Sequence, residues 1–150
     1  MKKIITLSLL LVFFAACKTA APTLGGDGSF DILNKETNGG REKAANIVIR
    51  SQEELNALYT ELNISDVPTI DFTTSNVVAL FMGQKKTGGY SIGIGKIILD
   101  GESNTATVQI IESEPEDMAM MMITTPYCIA KISKSKKVAF EQSPFIPAEN

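Results

Sequence analysis

The sequence predicts an α+β domain: a mostly antiparallel β-sheet of about five to six strands with one amphipathic helix packed on one face. Several short segments are apolar throughout or alternate between apolar and polar residues, as strands do. Only one segment repeats its apolar residues at the helical period, and the connections are short and contain Gly, Asn or Pro. Because no comparable second helix could receive its apolar stripe, the helix must lie on the sheet.

Residues 1–16 are predicted to be a secretory signal that is separate from the domain. Met1–Lys3 is positively charged, and Ile4–Ala16 is an apolar run that is shorter than the roughly 20 residues a transmembrane helix needs. Small residues then precede Cys17, an arrangement that resembles a bacterial lipoprotein signal in which this cysteine is lipidated. Phe14 departs from the leucine that is common three residues before the lipidated cysteine. The alternative is an ordinary signal peptide with an incidental cysteine.

The mature chain would then begin at Cys17, and residues 17–28, with small residues, Pro and Gly, are predicted to be a flexible tether. Removing Lys2 and Lys3 leaves a net charge of 12 − 17 = −5. That balance argues against a nucleic-acid partner, which requires clustered basic residues. A lipidated Cys17 would leave Cys128 without an intrachain disulfide partner, so the core alone must hold the domain together.

The domain is predicted to span residues 29–141 and to begin with two strands. Ser29–Leu33 is the first, and the turn signature Asn38–Gly40 follows it. Asn46–Arg50 is the second, rich in β-branched residues.

The predicted helix follows the second strand at once. Ser51 and Glu54 form a capping box, in which the serine hydroxyl accepts from the Glu54 N–H and Glu54 reaches back. Leu55, Leu58, Tyr59 and Leu62 then form one apolar stripe. An amphipathic helix of about three turns is therefore expected.

The centre of the domain is predicted to be a hairpin over Asn76–Asp100. Its first strand, Val77–Met82, is apolar without alternation, which indicates burial on both faces. A Gly-rich reversal leads into the second strand, where one face is predicted to carry Tyr90, Ile92, Ile94 and Ile98. Gly93 and Gly95 would leave a groove on the other face, which we expect the domain's own helix to approach. The alternative occupant is a partner.

Three further strands complete the domain. Thr105–Ser113 alternates, with Ala106, Val108 and Ile110 on one face, and is predicted to be half-exposed. Thr125–Ser133 and Val138–Phe140 follow, separated by a basic turn over residues 134–137 that we expect to be solvated. The tail over residues 142–150 contains two prolines and is predicted to fray.

Few residues carry catalytic chemistry. The chain has no histidine, which excludes Ser-His-Asp and Cys-His catalysis and the usual zinc sites. Cys128 is mid-strand and expected to act as a small apolar side chain. Four acidic residues could bind calcium, but they lack the spacing of a known calcium-binding loop, so we expect a solvated loop. These residues are Glu112, Glu114, Glu116 and Asp117. No metal and no cofactor is expected.

A methionine-rich stretch, Met118–Met122, is ambiguous between a strand and a helical turn. These side chains could form an adaptable partner surface. Core filling or a mobile lid is the default interpretation.

Four segments together resemble the PrcB-like C-terminal domain, a family found in exported bacterial lipoproteins. They are VIRSQEELNALY at Val48–Tyr59, TGGYSIGI at Thr87–Ile94, the acidic segment around Pro115, and TTPYCIAKISK at Thr124–Lys134. The resemblance covers roughly residues 29–141, although the methionine-rich stretch is less polar than expected there. The family's namesake is a lipoprotein that stabilises a surface serine-protease complex.

The resemblance implies a non-enzymatic lipoprotein of the bacterial cell envelope, periplasmic or surface-exposed and anchored through lipid on Cys17. Its domain would bind and stabilise an envelope protein, with a surface protease complex as the candidate. The predicted partner-contacting residues are Thr87, Gly88, Gly89, Tyr90, Pro126 and Tyr127. For Tyr90, the competing interpretation is that its ring packs on the core.

Two other function classes are weighed against this one. A protease-inhibitor-like binding module would present a loop to a protease cleft, but a Gly-rich turn is poorly preorganised for that role. An enzyme or a carbohydrate-binding protein is disfavoured because the chain has neither histidine nor tryptophan.

Overall fold

The computed structural model of the protein describes residues 26–115 and 120–143. In chain order these form β1 (Gly26–Gly28), β2 (Phe30–Glu36), β3 (Ala45–Ile49), α1 (Gln52–Glu61), β4 (Ser75–Phe81), β5 (Ser91–Asp100), β6 (Thr105–Ser113), β7 (Tyr127–Ser133) and β8 (Lys137–Gln142). The predicted signal, Cys17 and the tail from residue 144 lie outside the described residues. Within the described ranges no helix is long and apolar enough to cross a membrane.

The strands form two four-stranded sheets, ordered β1-β5-β6-β8 (the β5 sheet) and β2-β7-β4-β3 (the β4 sheet). All neighbouring strands are antiparallel except β6 and β8. The predicted class, mostly antiparallel β with a single helix, is confirmed in the described part of the chain. The prediction of one sheet with about five to six strands is wrong.

The predicted central hairpin is also wrong, because β4 and β5 belong to different sheets. β4 lies between β3 and β7, which occupy both of its hydrogen-bonding edges. β5 pairs instead with β6 along its whole length. Residues 82–90 therefore carry the chain from one sheet to the other, and do not form a tight reversal.

The core consists of three layers: α1, the β4 sheet and the β5 sheet. Leu55, Leu58 and Tyr59 of the helix pack against alternate residues of β4 and β7. The intervening residues of those strands face the β5 sheet, where Val78 and Leu80 contribute to two further apolar clusters. The prediction that the first central strand is buried on both faces is confirmed.

The predicted capping box begins α1, with one change. The Ser51 hydroxyl accepts from the Glu54 N–H at 3.2 Å. The Glu54 carboxylate accepts from the Arg50 N–H at 2.7 Å, one residue earlier than the pairing we expected. The helix has about three turns, as predicted, and Leu55, Leu58 and Tyr59 of its predicted stripe are buried, whereas Leu62 is the half-buried C-cap.

A β-bulge between Ile94 and Lys96 changes which side of β5 is buried. Beyond the bulge Ile97 points into the core, whereas Ile98, which we predicted to share the face of Ile94, does not. The extra residue is Gly95, where a Cβ would overlap the Ile111 side chain. The alternation of apolar and polar residues in the sequence does not reveal that a bulge inserts one extra residue into the strand.

The helix does not approach the predicted glycine groove, so that expectation is wrong. A Cβ on Gly93 would lie 3.1 Å from the Lys35 Nζ, from β2. α1 packs on the far side of the β4 sheet.

The last three residues of the predicted tether form β1, and residues 17–25 lie outside the described residues. Gly26 pairs with Leu99 and Gly28 with Ile97. The chain therefore joins the fold beside the C-terminal end of β5.

Candidate functional site

The predicted site residues come together at one end of the sandwich. Thr87, Gly88, Gly89 and Tyr90 lie in the connection between β4 and β5, and Pro126 and Tyr127 lie where β7 begins. We call this end the loop end; it comprises residues 37–44, 82–90 and 120–126. Gly26 lies at the opposite end, because it pairs beside the end of β5 rather than its start.

Backbone hydrogen bonds join the three segments of the loop end. Lys85 and Thr124 exchange a pair of them at 2.8 and 3.0 Å, and the Gly88 N–H donates to the Met120 carbonyl at 3.0 Å. The Thr124 hydroxyl also donates to the carbonyl of Thr87 at 3.0 Å. On the other side, the Gly40 N–H donates to the Thr125 carbonyl at 2.9 Å. The loop end is thus a connected surface and not three independent loops.

Gly89 is the position in the predicted turn that requires a glycine. Its φ is +88°, in the left-handed region, and a Cβ there would lie 2.7 Å from the Cβ of Pro115. Gly88 has no such constraint, since the nearest atom to an added Cβ is the Met120 carbonyl oxygen at 3.9 Å. The contact with Pro115 positions the turn against the acidic segment.

Tyr90 is half-buried, and its ring packs against the cluster that contains Leu80 and Ile92. The Nζ of Lys85 lies 5.2 Å from the ring centroid, within cation–π range. The structure therefore supports a packing role for this ring.

Pro126 and Tyr127 are buried in the described structure. The Tyr127 hydroxyl donates to the Asn34 side-chain oxygen at 2.8 Å, and burial, followed by the charge of Glu36, raises the pKa of Tyr127. Neither side chain offers surface to a partner in this conformation. Both residues instead support the loop end from beneath.

The exposed apolar surface of the loop end lies where the sequence favoured core filling or a mobile lid. Met120, Met121, Met122 and Ile123 are 77, 89, 52 and 62% exposed. We call these four residues the methionine segment. Core filling is wrong for its three methionines, while Met118 lies outside the described residues. Ile123 was not singled out in the sequence, although the unbroken apolar run Met120–Ile123 was a usable signal.

The remaining chemical candidates show no converging geometry. Cys128 is fully buried, and burial raises the pKa of its thiol, an effect that Lys35 opposes. The thiol is a small apolar core group, as the sequence indicated. Glu112 and Glu114 line a shallow cleft, and Glu116 and Asp117 lie outside the described residues. Within residues 26–115 and 120–143 no three metal-ligating side chains of the His, Cys, Asp or Glu type converge.

Comparison with known families identifies one match. Residues 76–133, from β4 to the end of β7, match the family described as PrcB C-terminal, which confirms the predicted resemblance for that part of the chain. The matched part contains the connection over residues 82–90 and the methionine segment. No curated protein and no solved structure matches the chain.

Proposed function

Taking the PrcB C-terminal match over residues 76–133 as the premise, we propose that this protein is a non-enzymatic lipoprotein of the bacterial envelope. Its domain binds and stabilises another envelope protein, and a surface protease complex is the candidate partner. The lipid is carried by Cys17, and the loop end makes the contact. The absence of histidine from the chain supports a binding role over a catalytic one.

The observation that carries this proposal is the connected loop end with its exposed apolar residues. Contiguous apolar side chains at a surface, rimmed by polar ones, are typical of protein interaction sites. Exposed polar residues of the loop end include Gln84 and Lys86. Hydrogen bonds between the loops fix the surface in advance, which lowers the entropy lost on binding.

The position of Gly26 supports the same proposal. Gly26 lies at the end of the sandwich opposite the loop end. A lipid on Cys17 would hold the chain to the membrane from that side. The loop end would then be free to face a partner.

The test is co-purification of tagged full-length protein from detergent-solubilised envelopes, with two matched glycine substitutions. Gly88→Arg adds bulk to the loop end, where a Cβ meets no atom closer than 3.9 Å. Gly26→Arg adds the same side chain at the opposite end, where a Cβ meets nothing within 4 Å. We expect one protein to accompany the wild type and Gly26→Arg but not Gly88→Arg, with similar melting temperatures for all three.

Two results would contradict the proposal. If no protein accompanies the wild type even after mild crosslinking, the domain does not stabilise a partner. If Gly88→Arg retains the partner, the binding role stands but the contact lies away from the loop end.

A further inference from the structure

The methionine segment is a run of four consecutive apolar side chains, each more than half exposed in the described structure. Each of them would gain free energy by leaving water. The segment cannot turn inward, because its backbone is tied to the neighbouring loop: the Gly88 N–H donates to the Met120 carbonyl, and Thr124 is paired with Lys85 in both directions. Burial of these side chains therefore requires another part of a chain to pack onto them.

β8 directs the chain toward this surface. It is parallel to β6, which runs to the loop end, and Gln142 is its last residue although we expected that residue to belong to a frayed tail. The Ser143 N–H donates to the Ile110 carbonyl at 2.8 Å, so the chain still follows β6 after β8 has ended. Pro115, just beyond β6, lies against Gly89 of the loop end. The residues that follow Ser143 are thus directed toward the methionine segment.

The edge of β6 beyond Ile110 can receive a continuation of β8. Within the described residues, the last three residues of β6 pair with β5 alone. Because Ser143 donates to Ile110, the same parallel register would let Phe145 donate to the Glu112 carbonyl. Pro144, which has no N–H, falls between these two donors, at a position that donates nothing to β6. The sequence after Ser143 is therefore compatible with a longer edge strand.

Such a continuation would have the length needed to reach the methionines. Phe140 of β8 packs in the same apolar cluster as Met82, and the chain runs toward the loop end from both residues. Six residues after Met82 is Gly88, which is bonded to Met120. Six residues after Phe140 is Ile146, and six extended residues span about 20 Å. An extended chain would thus bring Ile146 to the level of the methionine segment.

The alternation of β8 gives the face on which Ile146 would lie. Val138 and Phe140 pack into the core between the sheets, and the residues that alternate with them are exposed. The same alternation would place Ile146 on the side that faces the β4 sheet. The bridge between Lys85 and Thr124 prolongs the β4–β7 pairing beyond that sheet, and the methionine segment lies next to this bridge. Ile146 would therefore face the methionines.

Covalent attachment favours this occupant over a separate molecule. Ile146 is three residues from Ser143, so its effective concentration at the loop end is high and its contact costs no association entropy. Pro144 and Pro147 flank the two large apolar residues, and their fixed φ angles reduce the conformational entropy lost on ordering.

We propose that residues 144–147 continue β8 along β6 and that Ile146 covers the methionine segment as part of the same chain. A partner that binds the loop end must then displace this cover, a consequence that rests on the proposed function. The affinity for such a partner is reduced by the fraction of molecules in which the segment is uncovered. The cover thus regulates access to the loop end.

Photocrosslinking of the full-length chain in its native envelope identifies the occupant. The photocrosslinker p-benzoylphenylalanine replaces Ile146 in one form and Lys137, exposed at the other end of β8, in the control. We expect an adduct within one chain between position 146 and residues 120–123, absent from the control and identified by mass spectrometry. An adduct with lipid, with another protein or with a second copy would overturn the proposal, and so would the absence of any adduct.

Methionine oxidation measures the cover without a crosslinker. Ile146→Asn makes the covering side chain polar, and Ile146→Leu is the matched control that keeps it apolar. In envelopes treated with hydrogen peroxide, we expect Met120, Met121 and Met122 to oxidise at least about threefold faster in the asparagine form than in the wild type or the leucine form. Buried Met82 should stay unoxidised in all three, which shows that the fold is intact. Equal rates in the wild type and the asparagine form would overturn the cover.

Binding of the partner tests the displacement separately. The protein that accompanies the wild type should bind the asparagine form at least about threefold more tightly, because no cover has to be displaced. An unchanged affinity would overturn the regulation of access while leaving the proposed function intact. Failure of the proposed function would be recognised differently, as the absence of any accompanying protein from both forms, and it would leave the crosslink and the oxidation rates unaffected.

Discussion

At the scale of single residues, the loop end depends on one glycine and not on its neighbour. Gly89 has a left-handed backbone and lies against Pro115, while Gly88 has ordinary space around it. The sequence does not distinguish the two glycines. A Gly-Gly pair indicates a turn but does not show which of the two positions cannot accommodate a side chain. The distinction depends on Pro115, which is distant along the chain.

We predict opposite outcomes for alanine at these two positions. Gly89→Ala should destabilise the domain by about 1–2 kcal/mol for the left-handed backbone, with a further cost from the contact with Pro115. Gly88→Ala should leave stability within about 0.5 kcal/mol of the wild type. Urea unfolding followed by circular dichroism measures both. Equal effects at the two positions would show that the turn does not have the conformation described here.

At the scale of elements, α1 is the part most completely specified by local sequence. Its cap is the Ser51 hydroxyl on the Glu54 N–H, and its buried face is Leu55, Leu58 and Tyr59. These contacts lie within one or two turns of each other, so the sequence pattern contains them directly. Two details differ from expectation: the return bond of Glu54 goes to Arg50, and Leu62 is the half-buried C-cap of the helix.

Removing the N-cap of α1 tests how much this cap contributes to stability. Ser51→Ala should lower the free energy of unfolding by about 1 kcal/mol, because the Glu54 N–H loses its acceptor. Ser65→Ala is the matched control, since Ser65 is exposed and lies after the helix. We expect no change for the control within about 0.5 kcal/mol in the same chemical unfolding experiment. A Ser51→Ala form as stable as the control would mean that the cap contributes nothing.

At the scale of the whole molecule, an ion pair joins the loop end to the helix layer. Arg41 donates to both carboxylate oxygens of Glu61 at 2.7 and 2.8 Å, and its guanidinium carbon lies 4.8 Å from the centroid of the Phe81 ring. The hydrogen bond from Arg41 lowers the pKa of Glu61 below its ordinary value.

This pair predicts a pH-dependent share of stability. Because the pKa of Glu61 is lowered in the folded state, its contribution is complete above the unfolded pKa of about 4.3 and is lost as pH falls through the folded pKa. Glu61 is about half exposed, so we expect Glu61→Gln to cost only roughly 0.5 kcal/mol at pH 7. The gap from the wild type should narrow as pH falls below the unfolded pKa.

Urea unfolding at pH 7 and pH 3 measures that gap. Glu102→Gln is the control, because Glu102 is exposed and takes part in no ion pair within the described residues. A gap for Glu61→Gln that stays constant with pH would contradict the ion-pair origin of the effect.

The sequence by itself determined the buried faces of three elements, although not of β5, where the bulge at Gly95 changes the alternation. The unbroken apolar run of β4, the alternation of β6 and the stripe of α1 each record burial at their own positions, and all three are confirmed. Residues 76–133 likewise carried enough signal for the family to be recognised. Burial follows from a residue's own hydrophobicity and spacing, so it can be predicted locally.

Only the tertiary structure decided which strands are neighbours and which apolar residues remain outside. Two strands adjacent in sequence, β4 and β5, pair with other strands, because a period of two specifies a face but not the strand beside it. The same limit reversed two expectations at the site: Tyr127 is buried, and the methionines at positions 120–122 are exposed. Hydrogen bonds from Lys85 and Gly88, distant in sequence, hold the methionine segment outward, and no local pattern contains such contacts.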